Sequence, residues 1–513
     1  MTTLTATIVD DMIAADETSS AKPQPKREWL PVVLAGLVFG TLSVTAAVTS
    51  EGFLEADACT HYQYAKFALA EPHYLVNVWG RPFVTALYAV PATLAGRIGV
   101  RMTSMCCALV IAAVAWQIAR DQKYRWPALA FIFTLAQPLV FLHSFSELTE
   151  LPFAVLLVLA FWAYRRQQFL VMTILIGLTP TARPEGFGFL MLAAAALILH
   201  RRPWWLLVLP VPLLIWTYAG WRLYGQPAYF DPISLRLPES LRWLMWLRHE
   251  WPYQPESLYA AGRLYHFVGL LPAVVSPLLV PFVLIGVKQS VQRIWPRDHI
   301  ERCQALIAAI PLMILVGHSV LYWLGKMASN GELRYMLIVA PFWALLAARG
   351  WEWTFARLGW RHFYVPAAVV ALLPILANVA YQVVPIRLSG DGVKAREVAK
   401  WYRQDRISID YPRFASSNPE VAYFMGVSHT DAGWVRDWRR DVLLKMPPGT
   451  LLVWDPVYAK YNSDANRVVS LEELRAAGWV ERPDIADSFN WLSSGEPWHF
   501  FVSPTSIVGK PSE

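Results

Sequence analysis

The sequence predicts an all-α polytopic membrane bundle of about eleven transmembrane helices followed by a C-terminal soluble α/β domain, and three observations carry the expectation. Of the 513 residues, 56% are hydrophobic and only 16% charged, with a mean hydropathy of +0.34, which argues against a water-soluble enzyme. Apolar runs of roughly 20 residues, the length that crosses a bilayer core, recur along most of the chain. The 25 Trp and 21 Tyr residues exceed what core packing needs, and such amphipathic rings collect at membrane interfaces.

The formal charge of +7 does not indicate nucleic acid, because Lys and Arg stand at the ends of apolar runs rather than in one basic domain. They read as topology signals. The 4 cysteines are too few for a disulfide framework in a chain of this length. Residues 1–29 form a polar cytoplasmic tail with Lys22, Lys26 and Arg27 near its end, and they lack the apolar core and cleavage site of a removable signal peptide.

With that tail inside, a first span over about 30–49 delivers the loop 51–98 to the outer face. Within the loop, 81–95 is apolar but carries Pro82, Pro91 and flanking charge, which predicts a helix lying on the membrane surface. A second span over about 100–119 ends inside at Arg120, Lys123 and Arg125. Spans over about 126–142 and 148–164 form a hairpin that returns to the cytoplasm at Arg165 and Arg166. The next apolar stretch, 169–199, is interrupted by Thr179-Pro180-Thr181-Ala182-Arg183-Pro184-Glu185-Gly186. About 31 residues at 1.5 Å each give roughly 46 Å of helix, too long for one span and too short for two. Two short helices are therefore expected, with Arg183 and Glu185 at or beneath the outer interface, where irregular polar backbone lines an enclosed or watery cavity.

A seventh span, about 204–224, leads to the outer loop 225–265, in which 237–250 alternates Trp and Arg like an interfacial helix. Spans over about 266–287, 303–324, 335–348 and 363–384 complete a membrane domain of 30–385. Residues 386–513 contain no spanning run and predict an extracytoplasmic α/β domain, with a helix over 393–406, a capping box of Ser470 and Glu473, and strands over 450–454 and 498–502.

On this topology Glu55, Asp57, Glu147, Glu150, Arg183, Glu185, Lys326, Glu332 and Arg334 fall on one face of the membrane, with His61 beside the first pair. Ionisable groups at that level are costly and line cavities or meet partners. Each also has an ordinary structural reading. Glu55 and Asp57 suit the start of a helix, as much as Asp57 suits general-base work. Glu147 and Glu150 share a helical face, but Ser144 and Glu147 also form a capping box that starts the fourth span. Arg183-Pro184-Glu185 has the composition of a helix start with Pro at its first position. Glu332 and Arg334 read equally as a local ion pair, and Lys326 and His61 as solvated or interfacial groups. No glycine-rich phosphate loop, zinc spacing or nucleophile elbow points to a soluble nucleotide-sugar site.

Four features together resemble the GT-C superfamily of integral membrane glycosyltransferases: Glu55-Ala56-Asp57 after the first span, Arg183-Pro184-Glu185-Gly186 between short helices, Glu332-Leu333-Arg334-Tyr335 before a Pro- and Ala-rich span, and a soluble domain after the last span. The third is similar to the His-Lys-Glu-x-Arg-Phe motif of lipid-linked mannosyltransferases, with Asn330 and Gly331 in place of His and Lys. The resemblance implies a GT-C-like fold and transfer of a sugar, mannose-like favoured, from a polyprenyl-phosphate donor to a hydroxyl of a glycan, lipid or protein acceptor.

It implies Asp57 as the base with Glu55 as alternative or orienting partner, and Arg183, Arg334 and Lys326 as phosphate ligands. Glu147, Glu150, Glu185, Glu332 and His61 then line the substrate. A divalent cation, Mg or Mn, fits between Glu55 or Asp57 and phosphate without being required. The setting expected is a bacterial inner membrane with the site facing the periplasm or exterior. The competing reading is a transporter or flippase of a lipid-linked or anionic substrate, which uses the same outer cations without chemistry; the lack of an internal repeat disfavours it.

Overall fold

A charge-free run of 21 residues makes the first helix, α1 (Trp29–Thr49). The computed structural model describes residues 29–224, 237–245, 260–291, 298–326, 329–358, 385–404, 407–428, 430–435, 446–456, 458, 469–489 and 497–504. After α1 come a short helix α2 (Ala56–Phe67) and the 40-residue α3 (Pro82–Asp121). The surface helix expected over 81–95 and the second span are one run, bent at Gly96, whose φ of 60° is a conformation that side chains disfavour. The bend is tight: a Cβ at Gly99 would lie 2.2 Å from the Pro91 carbonyl oxygen.

The expected third span is divided by Pro138 into α4 (Ala128–Leu135) and α5 (Pro138–His143). The helix after it, α6 (Glu150–Arg165), starts later than its capping signal predicted. Ser144 and Glu147 form no capping box. The Ser144 hydroxyl meets Ser43 at 2.8 Å and the Glu147 carboxylate goes to Arg101, so neither is left to cap a helix.

Two helices of 14 residues, α7 (Phe169–Ala182) and α8 (Gly186–Leu199), bear out the short pair expected on either side of Arg183 and Glu185. Glu185 rather than Arg183 caps α8, so Pro184 precedes the helix instead of opening it. A 3-10 turn at Pro203–Leu207 and α9 (Val211–Tyr224) occupy the expected seventh span. Of the interfacial helix expected over 237–250, the described part is a 3-10 turn, Glu239–Met245. The expected eighth span is broken into α10 (His266–Gly269), α11 (Leu271–Val275) and α12 (Val280–Ser290), with Ser276 at φ 97° between the last two.

Two long elements follow, α13 (His299–Leu324) and a 3-10 turn, Leu333–Val339, that runs into α14 (Ala340–Arg357). Among the described residues five segments are long and apolar enough to cross a membrane: Trp29–Thr49, Pro82–Asp121, Pro203–Tyr224, His299–Leu324 and Leu333–Arg357. The eleventh expected span, 363–384, lies outside the described residues. Helices α12 and α14 approach closely through glycines, because a Cβ at Gly286 would lie 1.9 Å from the Leu346 carbonyl oxygen and one at Gly350 1.9 Å from that of Phe282.

The C-terminal region is α/β. It comprises α15 (Gly390–Gln404), α16 (Ile407–Asp410), β1 (Arg413–Ala415), α17 (Pro419–Met425), β2 (Trp434–Val435), β3 (Thr450–Trp454), α18 (Leu471–Ala476), β4 (Val480–Glu481), α19 (Pro483–Ser488) and β5 (His499–Val502). The sheet runs β2-β1-β3-β5-β4, parallel in its first three strands and antiparallel thereafter. Strand alternation gives it two apolar faces. Leu451, Val453 and Phe500 pack with Val398 and Val421, while Leu452 and Phe501 pack with Leu474 and Trp479. The Ser470–Glu473 capping box is present. This region sits on α2: Gln63 Nε2 donates to the Pro419 carbonyl at 2.6 Å, and Gly52 N donates to the Ile386 carbonyl at 2.9 Å.

Candidate active site

Glu55 takes an extended conformation as the N-cap of α2, which places its side chain and that of Asp57, in the first turn, on the same opening. From the far end of the membrane region, the 3-10 turn before α14 brings Arg334 to both. Its Nη1 is 2.8 Å from Glu55 Oε2 and its Nη2 2.8 Å from Asp57 Oδ2. Its Nε contacts Glu332 and lies 3.7 Å from Glu150 Oε1. Glu150, at the start of α6, is shared with Arg183, which also binds Glu185 at 2.8 Å and the Thr149 hydroxyl at 2.9 Å. Five carboxyl groups, of Glu55, Asp57, Glu150, Glu185 and Glu332, therefore hold two guanidiniums.

The arginines are enclosed and the outer carboxylates are not. Arg334 exposes 10% of its side chain, against 34% for Glu55 and 45% for Asp57. Burial pushes the Glu55 carboxyl up to about 8, and the negative charges of Glu332, Glu150 and Asp57 reinforce it against the pull of Arg334. Asp57 moves the other way. Burial raises it most among single influences, but Arg334, His61 and Arg81 together hold it below the ordinary carboxylate value. His61, one turn along α2, is pushed down to about 4 by burial and is neutral at physiological pH.

The remaining wall is aromatic. The His318 ring stacks on Tyr335 at 4.7 Å and 16°, with His318 Nε2 3.6 Å from Glu185 Oε1. The Tyr335 hydroxyl donates to Asn330 Oδ1 at 2.7 Å, and Arg183 lies 5.7 Å from the Tyr335 ring centroid. Gly331 belongs to this wall, because a Cβ there would meet the Tyr322 ring at 2.7 Å and its φ is +79°.

Of the residues singled out from sequence, Glu55, Asp57, Glu150, Arg183, Glu185, Glu332 and Arg334 come together. Glu147 does not. It is fully buried in a separate pair with Arg101, because it lies in the turn before α6 rather than on the helix with Glu150. Lys326 is exposed on the turn after α13 and makes no ion pair among the described residues. Arg101, Arg81, His143 and His318 are buried polar residues that the sequence argument passed over. An arginine and a histidine inside expected spans, Arg101 and His318, were the available signal. Glu55 and Asp57, the residues offered to a divalent cation, both engage Arg334, and among the described residues no three His, Cys, Asp or Glu side chains converge as a metal set.

The same architecture occurs in ArnT from Cupriavidus metallidurans. Its apo structure matches with a TM-score of 0.59 at 13% identity, covering 93% of this chain and 99% of that one. The ArnT structure bound to undecaprenyl phosphate matches with a TM-score of 0.59 at 14% identity over the same shares. No protein-family model and no curated protein sequence matches the chain.

Proposed function

We propose that this chain, whose fold is the GT-C fold of ArnT, moves a sugar from a polyprenyl-phosphate donor to an acceptor hydroxyl at the cluster around Arg334. The observation that carries the reading is the bridge from one guanidinium to both Glu55 and Asp57, with Glu150 linking it to a second guanidinium. Paired guanidiniums suit a phosphate, which they bind through parallel N–H donors. Half-open carboxylates beside them suit proton transfer. The ArnT structure with undecaprenyl phosphate supports a polyprenyl phosphate as the carrier.

A donor phosphate arriving at Arg334 competes with Glu55 and Asp57 for the same N–H groups. Asp57, freed and ionised, accepts the proton of the acceptor hydroxyl as that oxygen bonds to C1 of the sugar. The bond from C1 to the phosphate oxygen breaks, and its electron pair and charge fall on the phosphate between Arg183 and Arg334. Glu55, protonated at neutral pH, donates its O–H to acceptor or phosphate; two neighbouring carboxyl groups with divergent proton affinities divide such roles.

The reading places 30–385 as the membrane domain and 386–513 as the outer domain, with the site on the outer face of a bacterial inner membrane. A mannose-like donor is tested first because of Glu332-Leu333-Arg334-Tyr335, although Gly331 packs against Tyr322 where the mannosyltransferase motif has Lys. The test is transfer of labelled sugar from a polyprenyl-phosphate sugar in proteoliposomes, comparing wild type with Asp57→Asn. Loss in the variant supports the reading. Movement of the donor across the bilayer with no sugar released would replace it with transport.

A further inference from the structure

Arg101 of α3 holds the segment that precedes the acidic motif. Arg101 exposes none of its side chain, and neither does Glu147, whose Oε1 accepts from Arg101 Nε at 2.8 Å. Arg101 donates three more bonds to backbone carbonyls: Nη1 to Ala47 and Ser50, both at 2.8 Å, and Nη2 to Gly52 at 2.6 Å. These carbonyls end α1 and form the turn from which Glu55 and Asp57 follow. Tyr88 and Ser104, brought within 2.8 Å of one another by the bend at Gly96, bond the Leu148 and Ser146 carbonyls and so fix the turn that carries Glu147.

From the opposite side the same turn meets the outer domain. Gly52 N donates to the Ile386 carbonyl at 2.9 Å, and Ile386 N to Ser50 Oγ at 3.0 Å. The approach is so close that a Cβ at Gly52 would lie 2.3 Å from the Arg387 carbonyl oxygen. Arg97 lies over Phe53 at 5.0 Å, and Phe53 contacts Tyr423 of α17 edge-on at 5.0 Å. Among the described residues Arg101 makes no hydrogen bond or ion pair with Arg334, Arg183 or a carboxyl group of the Arg334 cluster.

We propose that Arg101, with Glu147 as its buried counter-ion, is the positioning residue of the Glu55 and Asp57 motif. The inference rests on the proposed role of Asp57. A base acts only within hydrogen-bond reach of its proton, and a displacement of about 1 Å costs on the order of a hundredfold in rate. The planar fork of arginine reaches three carbonyls and the Glu147 carboxylate at once, one contact more than the three N–H donors of a lysine can make. Glu147 keeps the charge paired where solvent is excluded. Its purpose is thus to keep Arg101 in place rather than to bind substrate.

The experiment compares Arg101→Lys, Glu147→Gln and Gly52→Ala with wild type by steady-state kinetics and by amide exchange. The expected result is a kcat lower by about tenfold to a hundredfold with the donor KM unchanged, and faster exchange over 50–58 with exchange over 169–199 unchanged. Gly52→Ala displaces the turn without removing the arginine and gives the reading if Arg101→Lys does not fold. Wild-type kcat and unchanged exchange over 50–58 in all folded variants would overturn the proposal. So would a raised donor KM at unchanged kcat, which makes Arg101 part of the donor pocket. If wild type transfers no sugar, the proposed function fails by itself, and exchange still decides whether Arg101 holds the turn.

Discussion

Arg334 Nη2 lies 2.8 Å from Asp57 Oδ2 although the two residues are 277 positions apart. That single contact joins α2 to the turn entering α14 and draws Glu55, Glu150 and Glu332 into one cluster.

Asp57→Asn preserves size and removes the proton acceptor. Sugar transfer falls by about 100-fold or more, the usual scale of a general base, while donor binding survives. Glu55→Gln keeps a hydrogen-bond donor in place of a protonated carboxyl, so it retains more activity at neutral pH. Parallel turnover assays check both. Abolition of turnover by Glu55→Gln with near-normal Asp57→Asn would exchange the two roles.

The pH dependence follows from the raised Glu55 carboxyl, at about 8 against an ordinary 4.5. A carboxyl that holds its proton more tightly when folded contributes stability that is complete below about 4.5 and lost as pH rises through about 8. Asp57 has the opposite sign, so its contribution is present above its unfolded value and fades as acid protonates it. Transfer should therefore decline above about pH 8 in wild type. Glu55→Gln should remove that alkaline limb. Rate-pH profiles and thermal melts across the range measure both effects.

Arg334→Gln leaves the carboxyl groups of Glu55, Asp57, Glu150 and Glu332 without their shared cation. Donor affinity should fall at least about tenfold, and Arg334→Lys should not restore it, because an ammonium cannot span two acceptors with the fixed fork of a guanidinium. Arg183→Gln should weaken the same binding. Donor titration of the three variants gives the answer, and wild-type affinity in all of them would leave both arginines as structural charges.

Gly286 and Gly350 mark the tightest approach of α12 to α14. Alanine at either site forces the helices apart, a cost of about 1–3 kcal/mol for overpacking. Thermal stability in detergent should drop in both single variants. An unchanged melting temperature in either one would mean that its backbone contact relaxes freely.

Reporter fusions after Arg202 and after Gly390 should lie on opposite faces of the membrane, because basic residues close the cytoplasmic turns. Identical faces would reverse the orientation drawn from the charges.

Composition and periodicity by themselves determined the helical bundle, the two short helices around Arg183 and the α/β character of the C-terminal region. Length, apolar content and strand alternation are local properties, and they act the same way wherever the segment packs. Breaks within spans were only partly legible: Pro277 marks a helix boundary at the residue before it, but the φ of 97° at Ser276 has no glycine to announce it. Only the tertiary structure decided which charges pair. Glu147 and Glu150 read as one helical face, yet α6 begins at Glu150, so the two glutamates leave the chain in different directions toward Arg101 and Arg183. Ion pairing depends on where a helix starts and which segment crosses it, and both are set by packing between residues remote in sequence.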